Sequence, residues 1–440
     1  MSRDKLRLTG LLLSLFSIFV LGTATGQVSP NLFSLSAAGG VVSRQPWPVV
    51  AFSSFRVVGN GSSWCEINTA SGTYDWSNLD LWLAAAQTHG QNILYTFLCT
   101  PQWASSKPND TSCKEGPGTC DPPFDLNADG TGTDQTWKDF VTALVQHSVQ
   151  SSTGHLSYYE IWNEPHNNFF WNGTYAQLVR MASDAYSIIK TNDPSGQVLS
   201  PTLGWDTTAQ STEWASGYLA AGGNKYIDAV AIHGYVIEKS WPSGTRSDNP
   251  ETLVPLVSAY KTMLSTYGLG SKQIFDTESS WSVNDQWGPY STDLDMRAAF
   301  LSRSYILHAA YGFSRLYWFQ WNDPSDGTLW LPDPNDPPAP GTLYPAGIAY
   351  QQTYNWLVGR NISNGCSQNG TVWVCAISGS GGYIAEAVWD TAQSCNNGTC
   401  TYSSYKVGTP FTQYQTIYGQ TNPITGGTVP IGAKPILLGN

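Results

Sequence analysis

The sequence predicts an α/β fold, namely a (β/α)8 TIM barrel followed by a small C-terminal β-sandwich. Between residues 49 and 360, short apolar runs alternate with helical patterns, which indicates parallel strands joined by helical crossovers. Polar and aromatic residues gather where several predicted strands end, as they do at the functional rim of such barrels. Beyond residue 360 the helical periodicity stops, and short β-like segments separated by Gly, Asn and Pro remain.

The predicted strands and helices alternate along the chain. From β-branched and aromatic content, strands are expected at residues 49–59, 92–99, 156–162, 197–202, 229–235, 273–281 and 315–321. From apolar residues at helical spacing, helices are expected at residues 76–90, 134–149, 174–191, 213–222, 251–268, 293–312 and 349–359. An open doubly wound sheet is the alternative, but no predicted strand is followed by a glycine-rich phosphate-binding motif.

These patterns divide the chain into three segments. We expect a signal peptide at residues 1–26, the barrel at 27–360 and the β-sandwich accessory domain at 361–440. Strands of the sandwich are expected at residues 371–378, 383–390, 402–408 and 435–439. A strand from residues 30–45 is left open as a further member of this sandwich.

The N-terminus has the pattern of a secretory signal. Arg3, Lys5 and Arg7 precede the apolar run LLLSLFSIFVLG, and small residues lead to a cleavage point before Gln27. An uncleaved membrane anchor is the alternative. The eight cysteines fit export, because disulfides persist in oxidising compartments. We therefore expect a secreted protein, extracellular or periplasmic, without membrane contact after cleavage.

The spacing of the cysteines predicts local disulfides. The close pairs are Cys113 with Cys120, Cys366 with Cys375, and Cys395 with Cys400. Cys65 and Cys99 are left to pair with each other or to stay buried. A zinc site is the alternative use, but the chain has no C-x-x-C and only six histidines.

One segment imitates a calcium loop. DLNADGTGTD (125–134) has the acidic spacing of such a loop, but Thr136 stands where the loop needs a glutamate. We interpret the segment as a turn before a helix that Asp134 caps. No metal and no organic cofactor are predicted.

Net charge and aromatic content indicate which classes of binding partner the protein favours. The formal net charge is −11 at pH 7 and the pI about 4.9, which disfavours nucleic acid and anionic membranes. Aromatic residues make up 13% of the chain, and such rings either stack on sugars or fill cores. The oligomeric state is left open. The candidate sugar platforms are Trp103, Trp171, Trp205, Trp281, Trp287 and Trp321.

Two glutamates stand at the ends of predicted strands. Glu164 lies in the segment YYEIWNEPH, just after the predicted strand. Pro165 ends that strand and favours an extended backbone at Glu164. Glu278 lies near the end of the predicted strand QIFDTESSW. Asp276, two residues earlier and deeper in the strand, is the alternative candidate for the second carboxylate. Strand ends of one barrel face one cleft, so the two carboxyl groups are expected to meet. Glycoside hydrolysis needs two carboxyl groups, one to protonate the leaving oxygen and one to attack the sugar or direct a water.

Several motifs resemble those of retaining glycoside hydrolases of clan A. WNEP, IHGY and TESSW are similar to the fourth, sixth and seventh strand ends of these enzymes, and FRVVG, GTYDWSNLD, YTFLCTPQWAS and LYWFQWND extend the match. The order of motifs is most similar to glycoside hydrolase family 39 and its neighbours. This resemblance covers residues 49–360 and implies that Glu164 is the general acid/base and Glu278 the nucleophile.

The resemblance also implies contacts to the substrate. Asn163 would bond the hydroxyl beside the reacting carbon. His233 and Tyr235 would line the −1 subsite, with Tyr235 near Glu278, and Trp318 would form its floor.

Three further residues are assigned to the substrate site. Arg56 resembles an early-strand arginine that braces the nucleophile in such barrels. Trp103 and Trp281 are taken from the aromatic set as sugar platforms.

The sequence therefore predicts a secreted retaining glycoside hydrolase that acts on O-glycosyl bonds of oligo- or polysaccharides. Its two carboxyl groups should lie roughly 5–5.5 Å apart. Burial and the neighbouring carboxylate should raise the pKa of Glu164. A transglycosylase on the same site and a non-catalytic carbohydrate-binding barrel are the alternatives, and a serine esterase lacks its G-x-S-x-G motif. The sugar, its linkage, and exo or endo action are left open.

Overall fold

The computed structural model describes residues 26–204, 209–236, 249–281, 293–323, 327–331 and 341–440. Side chains in the helix that begins at residue 209 are described from residue 212 onward. Residues 1–25 of the predicted signal peptide lie outside the described residues, as do Trp205 and Trp287.

Eight parallel strands close into a barrel, which confirms the predicted fold class. Each strand pairs with its neighbour in sequence, and the first pairs with the eighth. The strands are β1 Phe33–Ser36, β2 Ser54–Val57, β3 Asn92–Thr96, β4 Tyr158–Glu160, β5 Gln197–Leu199, β6 Ala229–Ile232, β7 Gln273–Ser279 and β8 Arg315–Trp318. Nearly all of their residues are buried, since one face fills the barrel and the other packs beneath helices.

Helices lie between and outside the strands. They are α1 Gly40–Ser43, α2 Trp64–Ile67, α3 Ser77–His89, α4 Gln135–Gln150, α5 Tyr175–Asn192, α6 Ala209–Ala220, α7 Leu253–Thr266, α8 Leu294–Ala310 and α9 Pro345–Leu357. The buried residues of α4 recur at helical spacing and form one apolar stripe. Among the helices of the described residues, none is both long and apolar enough to cross a membrane.

The first barrel strand corrects one expectation from the sequence. β1 lies within residues 30–45, the stretch left open as a strand of the sandwich. Leu35 pairs with Phe55 of β2 and with Trp318 of β8. Without this strand the barrel would keep two open edges with unpaired backbone groups. Four residues are too few for periodicity to decide which sheet they join.

The C-terminal region forms antiparallel sheets, as the predicted β-sandwich requires. A hairpin of β9 Trp330–Leu331 and β10 Thr342–Leu343 precedes α9. The remaining strands are β11 Asn361–Ile362, β12 Ser367–Asn369, β13 Val372–Ser378, β14 Ile384–Asp390, β15 Cys395–Asn396, β16 Thr399–Cys400, β17 Ser403–Lys406, β18 Gln413–Thr416, β19 Thr421–Pro423, β20 Thr428–Ile431 and β21 Ile436–Gly439. The main sheet has the order β11–β13–β14–β21–β18–β19, and β17 pairs with β20. The C-terminal sheets share an apolar core that consists of Val388, Val429, Ile431, Ile436 and Leu438.

The cap of α4 differs from the prediction. Asp134 adopts a left-handed backbone conformation with φ 50°, and its side chain does not cap the helix. Asp125 instead accepts hydrogen bonds from the backbone N–H groups of Gln135 (2.6 Å) and Thr136 (3.1 Å). The turn therefore caps the helix through Asp125, whose charge also suits the positive end of the helix dipole. Burial and the nearby Asp184 raise the pKa of Asp134 to about 8.

All eight cysteines form disulfides. The three predicted local pairs are confirmed. The pair left open, Cys65 and Cys99, is also bonded and ties α2 to the segment after β3.

A buried ionic contact joins the C-terminal sheets to the barrel. Glu251 accepts hydrogen bonds from Nε of Arg303 in α8 (2.8 Å) and from the indole N–H of Trp389 in β14 (2.6 Å). Arg303 also donates to Asn249 (3.0 Å). Arg303 is 1% exposed and Glu251 9% exposed, so the three-way contact is shielded from water.

Removal of Glu251 should destabilise the protein, because a buried arginine and an indole N–H would lose their acceptor. We expect Glu251→Ala to lower the free energy of unfolding by roughly 3–5 kcal/mol. Chemical denaturation followed by tryptophan fluorescence measures this change. The control is Glu115→Ala at an exposed glutamate, for which we expect a change within about 0.5 kcal/mol. A Glu251→Ala protein as stable as wild type would contradict the role of this contact.

Candidate active site

The candidate site lies at the C-terminal ends of the barrel strands. Arg56 lies in β2 and Glu278 in β7, while Glu164 follows β4 and His233 follows β6. Parallel strands in one barrel all end at the same rim, so residues distant in sequence converge there.

Arg56 occupies the centre of the site. Its guanidinium donates through Nε to Glu160 (3.0 Å), through Nη1 to Glu278 (2.6 Å) and through Nη2 to Asn163 (2.7 Å). Nη2 also faces Nε2 of His233 at 3.3 Å. Burial lowers the pKa of Arg56, but the carboxylates of Glu160 and Glu278 raise it by more. Arg56 is therefore a fixed positive charge among the candidate catalytic groups.

Glu160 is a site residue that the sequence analysis did not identify. Its carboxylate is fully buried and accepts hydrogen bonds from Arg56 and from the hydroxyl groups of three threonines. These threonines are Thr96 (2.7 Å), Thr277 (2.8 Å) and Thr202 (3.1 Å). The signal was present, since Glu160 is the charged residue inside the apolar run YYEIW. A buried carboxylate with these donors is the anchor of the Arg56 guanidinium.

Glu164 is held through both its backbone and its side chain. Its φ of 42° is a left-handed conformation that is uncommon outside glycine, so the predicted extended backbone before Pro165 is wrong. The N–H group of Glu164 donates to the hydroxyl of Thr202 (3.2 Å). Its carboxylate accepts from Asn167 (3.1 Å) and from Nδ1 of His233 (2.8 Å). Such strained positions persist where surrounding contacts impose them, and they cluster at functional sites.

The pKa of Glu164 lies below its ordinary value, opposite to the predicted direction. Burial raises this pKa, but the hydrogen bond and charge of His233 and the charges of His166 and Lys114 lower it by more. The predicted rise follows from burial and from the second carboxylate. The hydrogen-bond donors that lower this pKa come from residues distant in sequence.

His233 is placed between the two glutamates and Arg56. Burial lowers the pKa of His233, and the charges of Glu278 and Glu164 raise it above its ordinary value. Nδ1 carries the ring proton that is donated to Glu164. Nε2 lies 3.3 Å from Nη2 of Arg56, 3.3 Å from the hydroxyl of Thr202 and 3.9 Å from Oε2 of Glu278, and the last two can accept a proton from an imidazolium.

Both carboxylate oxygens of Glu278 accept hydrogen bonds. The hydroxyl of Tyr235 donates to Oε1 (2.9 Å), and Nη1 of Arg56 donates to Oε2 (2.6 Å). One oxygen of Glu278 and one of Glu164 lie within 4.8 Å of each other and of a ring nitrogen of His233. These three residue types also suit a metal ion, but Arg56 already places a positive charge beside Glu278, at 2.6 Å.

Asn163 follows β4 and Trp318 ends β8, next to these groups. Because Arg56 donates to Oδ1 of Asn163, the amide Nδ2 is the atom left to donate. Trp318 ends β8 beside Ser279 of β7, and its indole N–H donates to the carbonyl of Gly327 (2.6 Å). Trp318 is 2% exposed, and its role as the floor of a subsite stays a prediction.

The two tryptophans assigned as platforms occupy different environments. Trp281 is 3% exposed and stacks on Phe300 of α8, with ring centroids 3.7 Å apart. It takes part in the packing between β7 and α8, and its assignment to the substrate site stays a prediction. Trp103 is partly exposed and donates to the carbonyl of Asn68 (2.8 Å), and its assignment stays a prediction. The other described members of the aromatic set, Trp171 and Trp321, are buried.

The fold is similar to those of solved glycoside hydrolases, although no family model and no curated protein matches the sequence. A family 39 glycoside hydrolase from Bacteroides cellulosilyticus WH2 is 15% identical, with a TM-score of 0.65 over 93% of this chain and 81% of that chain. A monomeric β-xylosidase from Caulobacter crescentus CB15 is 15% identical, with a TM-score of 0.63 over 94% and 97% of the two chains. The catalytic domain of GH30 xylanase C from Talaromyces cellulolyticus is 13% identical, with a TM-score of 0.58 over 95% and 98%. At these identities the likeness establishes the shared fold.

Replacement of Glu160 tests whether it anchors Arg56. Glu160→Ala leaves a buried guanidinium and three hydroxyl groups without their acceptor, so we expect the free energy of unfolding to fall by roughly 3–5 kcal/mol. Glu160→Gln keeps an acceptor oxygen for Arg56, and the threonine hydroxyls can accept from its amide, so the loss should be smaller. Chemical denaturation of both variants measures the difference. An alanine variant with wild-type stability would exclude this role of Glu160.

Proposed function

We propose that this protein is a retaining glycoside hydrolase that cleaves O-glycosidic bonds of oligo- or polysaccharides. The observation that carries the proposal is the close approach of Glu164 and Glu278, since one oxygen of each lies within 4.8 Å of the other. Close carboxyl groups are typical of retaining glycosidases, which hold them about 5–5.5 Å apart, whereas inverting enzymes leave about 6.5–9.5 Å to admit a water. The fold likeness to a family 39 glycoside hydrolase and a β-xylosidase supports the same assignment.

In the first step, Glu278 acts as the nucleophile. Its carboxylate attacks the anomeric carbon while the bond to the leaving oxygen breaks, and Glu164 donates its proton to that oxygen. Arg56 and Tyr235 hold the two oxygens of Glu278, so the attacking carboxylate is oriented before the substrate arrives. The products of this step are a glycosyl ester on Glu278 and a released alcohol.

In the second step, water replaces the leaving group. Ionised Glu164 removes a proton from the water, the water oxygen bonds the anomeric carbon, and the ester bond to Glu278 breaks. His233 donates to the ionised form of Glu164 at 2.8 Å, which suits this basic role. We assign the Nδ2 group of Asn163 to a substrate hydroxyl beside the reacting carbon, because Oδ1 already accepts from Arg56.

We also propose that the protein is exported. Four disulfides are typical of proteins in oxidising compartments, and the N-terminal pattern of basic and apolar residues supports a signal peptide at residues 1–26. In this proposal residues 27–360 form the catalytic barrel and residues 361–440 an accessory domain.

Replacement of the two glutamates tests their roles. We expect Glu164→Gln and Glu278→Gln each to lower kcat by at least roughly 10²–10⁴-fold on an aryl glycoside that the wild type cleaves. A panel of aryl glycosides and of plant and microbial polysaccharides identifies that substrate, and NMR of the first product gives its anomeric configuration. Glu115→Gln at an exposed position is the matched control and should keep the wild-type kcat.

Added azide separates the two roles. Azide should convert substrate to a glycosyl azide of retained configuration with Glu164→Ala and of inverted configuration with Glu278→Ala, because it replaces water in one case and the nucleophile in the other. Full activity of either glutamine variant, or inverted product from the wild type, would overturn the assignment. Transfer to a sugar acceptor in place of water would identify a transglycosylase, and binding without turnover a carbohydrate-binding barrel.

The lowered pKa of Glu164 predicts activity at acidic pH. Glu164 must carry a proton when the free enzyme meets its substrate, and a lowered pKa means that rising pH removes this proton earlier than from an ordinary glutamate. We expect kcat/KM to be highest at acidic pH and to fall before neutrality. His233→Ala removes the donor, raises the pKa of Glu164 and should move this fall to higher pH. His233→Asn, whose amide can donate from the Nδ1 position, should stay closer to wild type, and an unmoved profile in His233→Ala would exclude this control of Glu164.

A further inference from the structure

A second buried pair of titratable side chains lies behind the candidate active site. Nε2 of His308, in α8, lies 2.8 Å from Oδ2 of Asp276 in β7. The Asp276 side chain is 0% exposed and that of His308 2% exposed. Asp276 is two residues before Glu278, but neither member of the pair takes part in the proposed chemistry.

The hydrogen bonds of His308 determine how many protons the pair holds. Nδ1 lies 2.7 Å from the backbone carbonyl of Ser304, which can only accept, so Nδ1 must donate. Nε2 faces the carboxylate of Asp276. The contact between them therefore needs a second proton, carried either by the ring or by Asp276. A backbone N–H donates to Oδ1 of Asp276, and hydrogen bonds to a carboxyl oxygen favour its ionised form, so we assign the second proton to the ring.

The same carboxylate holds one particular backbone segment. The N–H group of Gly234 donates to Oδ1 of Asp276 at 3.0 Å. A Cβ at Gly234 would lie 2.2 Å from Oδ2 of Asp276, so only glycine allows this approach. The position of Gly234 is therefore set by Asp276, which His308 fixes in turn from the other side.

Gly234 lies between the two residues that contact the candidate catalytic carboxylates. His233 donates from Nδ1 to Glu164 at 2.8 Å, and Tyr235 donates from its hydroxyl to Glu278 at 2.9 Å. A shift of the Gly234 peptide moves both neighbouring residues, because their backbones are covalently joined to it.

We propose that Asp276 and His308 form a positioning pair, an imidazolium–carboxylate contact that aligns residues 233–235 so that one backbone segment orients both glutamates. This inference rests on the proposed function for its effect on catalysis. The pair touches no reacting atom and acts through the N–H group of Gly234. It gives Asp276, which the sequence offered as a rival nucleophile, a role behind the site instead.

The first test compares two substitutions of Asp276 in the full-length mature protein. Asp276→Ala removes the acceptor of Gly234, so kcat should fall roughly 10- to 100-fold with KM nearly unchanged, as expected for a misaligned catalytic group. Asp276→Asn can accept from Gly234 and donate to a neutral His308, so it should restore most of the wild-type kcat. An alanine variant with wild-type kcat, or an asparagine variant as impaired as alanine, would overturn the proposal.

A second variant disturbs the same contact from the side of Gly234. Gly234→Ala leaves both members of the pair in place but inserts a methyl group between Gly234 and Asp276, and it should lower kcat as Asp276→Ala does. A fully active Gly234→Ala protein would overturn the proposal. The matched control is His147→Ala, which removes the His147–Asp80 contact (2.7 Å) between the outer helices and should leave kcat unchanged.

A measurement without turnover separates this inference from the proposed function. NMR of 15N-labelled histidine should show two protonated ring nitrogens for His308 in the wild type and one in Asp276→Asn. A bare Nε2 in the wild type would overturn the imidazolium–carboxylate pair whether or not the protein hydrolyses glycosides. Two protonated nitrogens in a protein inactive on every glycoside would support the pair and count only against the proposed function.

Discussion

The contact between Arg56 and Glu160 is the interaction on which the site depends. It places a buried guanidinium at the centre of the site, where the remaining nitrogens reach Glu278 and Asn163. Removal of these ions from water costs several kcal/mol for each, which only well-placed partners offset. Here three threonine hydroxyls complete the shell of Glu160. The site is therefore preorganised, since its charges are fixed before any ligand is bound.

The barrel supplies the convergence that this arrangement needs. The residues of the site come from β2, β4, β6 and β7, and each strand contributes a side chain near its C-terminal end. A second group of residues supports them from behind. The hydroxyl of Thr202 accepts a hydrogen bond from the backbone N–H of Glu164, and Asp276 accepts one from the backbone N–H of Gly234. Rigid strands and bonded backbones limit how far the two glutamates can move apart.

The electrostatics of the site favour the ionised carboxylate of Glu164 in the unliganded protein. His233 and Asn167 both donate to Glu164, which is the reason that its pKa is low despite burial. A bound sugar that excludes water and brings an ether oxygen next to Glu164 would favour the protonated acid. In the proposed mechanism substrate binding thus supplies part of the condition for proton donation.

The sequence by itself determined the elements, the fold class and the two glutamates. Long apolar runs and helical periodicity predicted seven of the barrel strands, and the particular context of Glu164 and Glu278 at strand ends singled them out. Only the tertiary structure decided that β1 belongs to the barrel, that Trp281 packs against Phe300, and that Asp125 caps α4. It also decided the direction of the Glu164 pKa and the role of Glu160. Periodicity reports which face of an element is buried, whereas these outcomes depend on partners contributed by strands distant in sequence, and no local pattern encodes them.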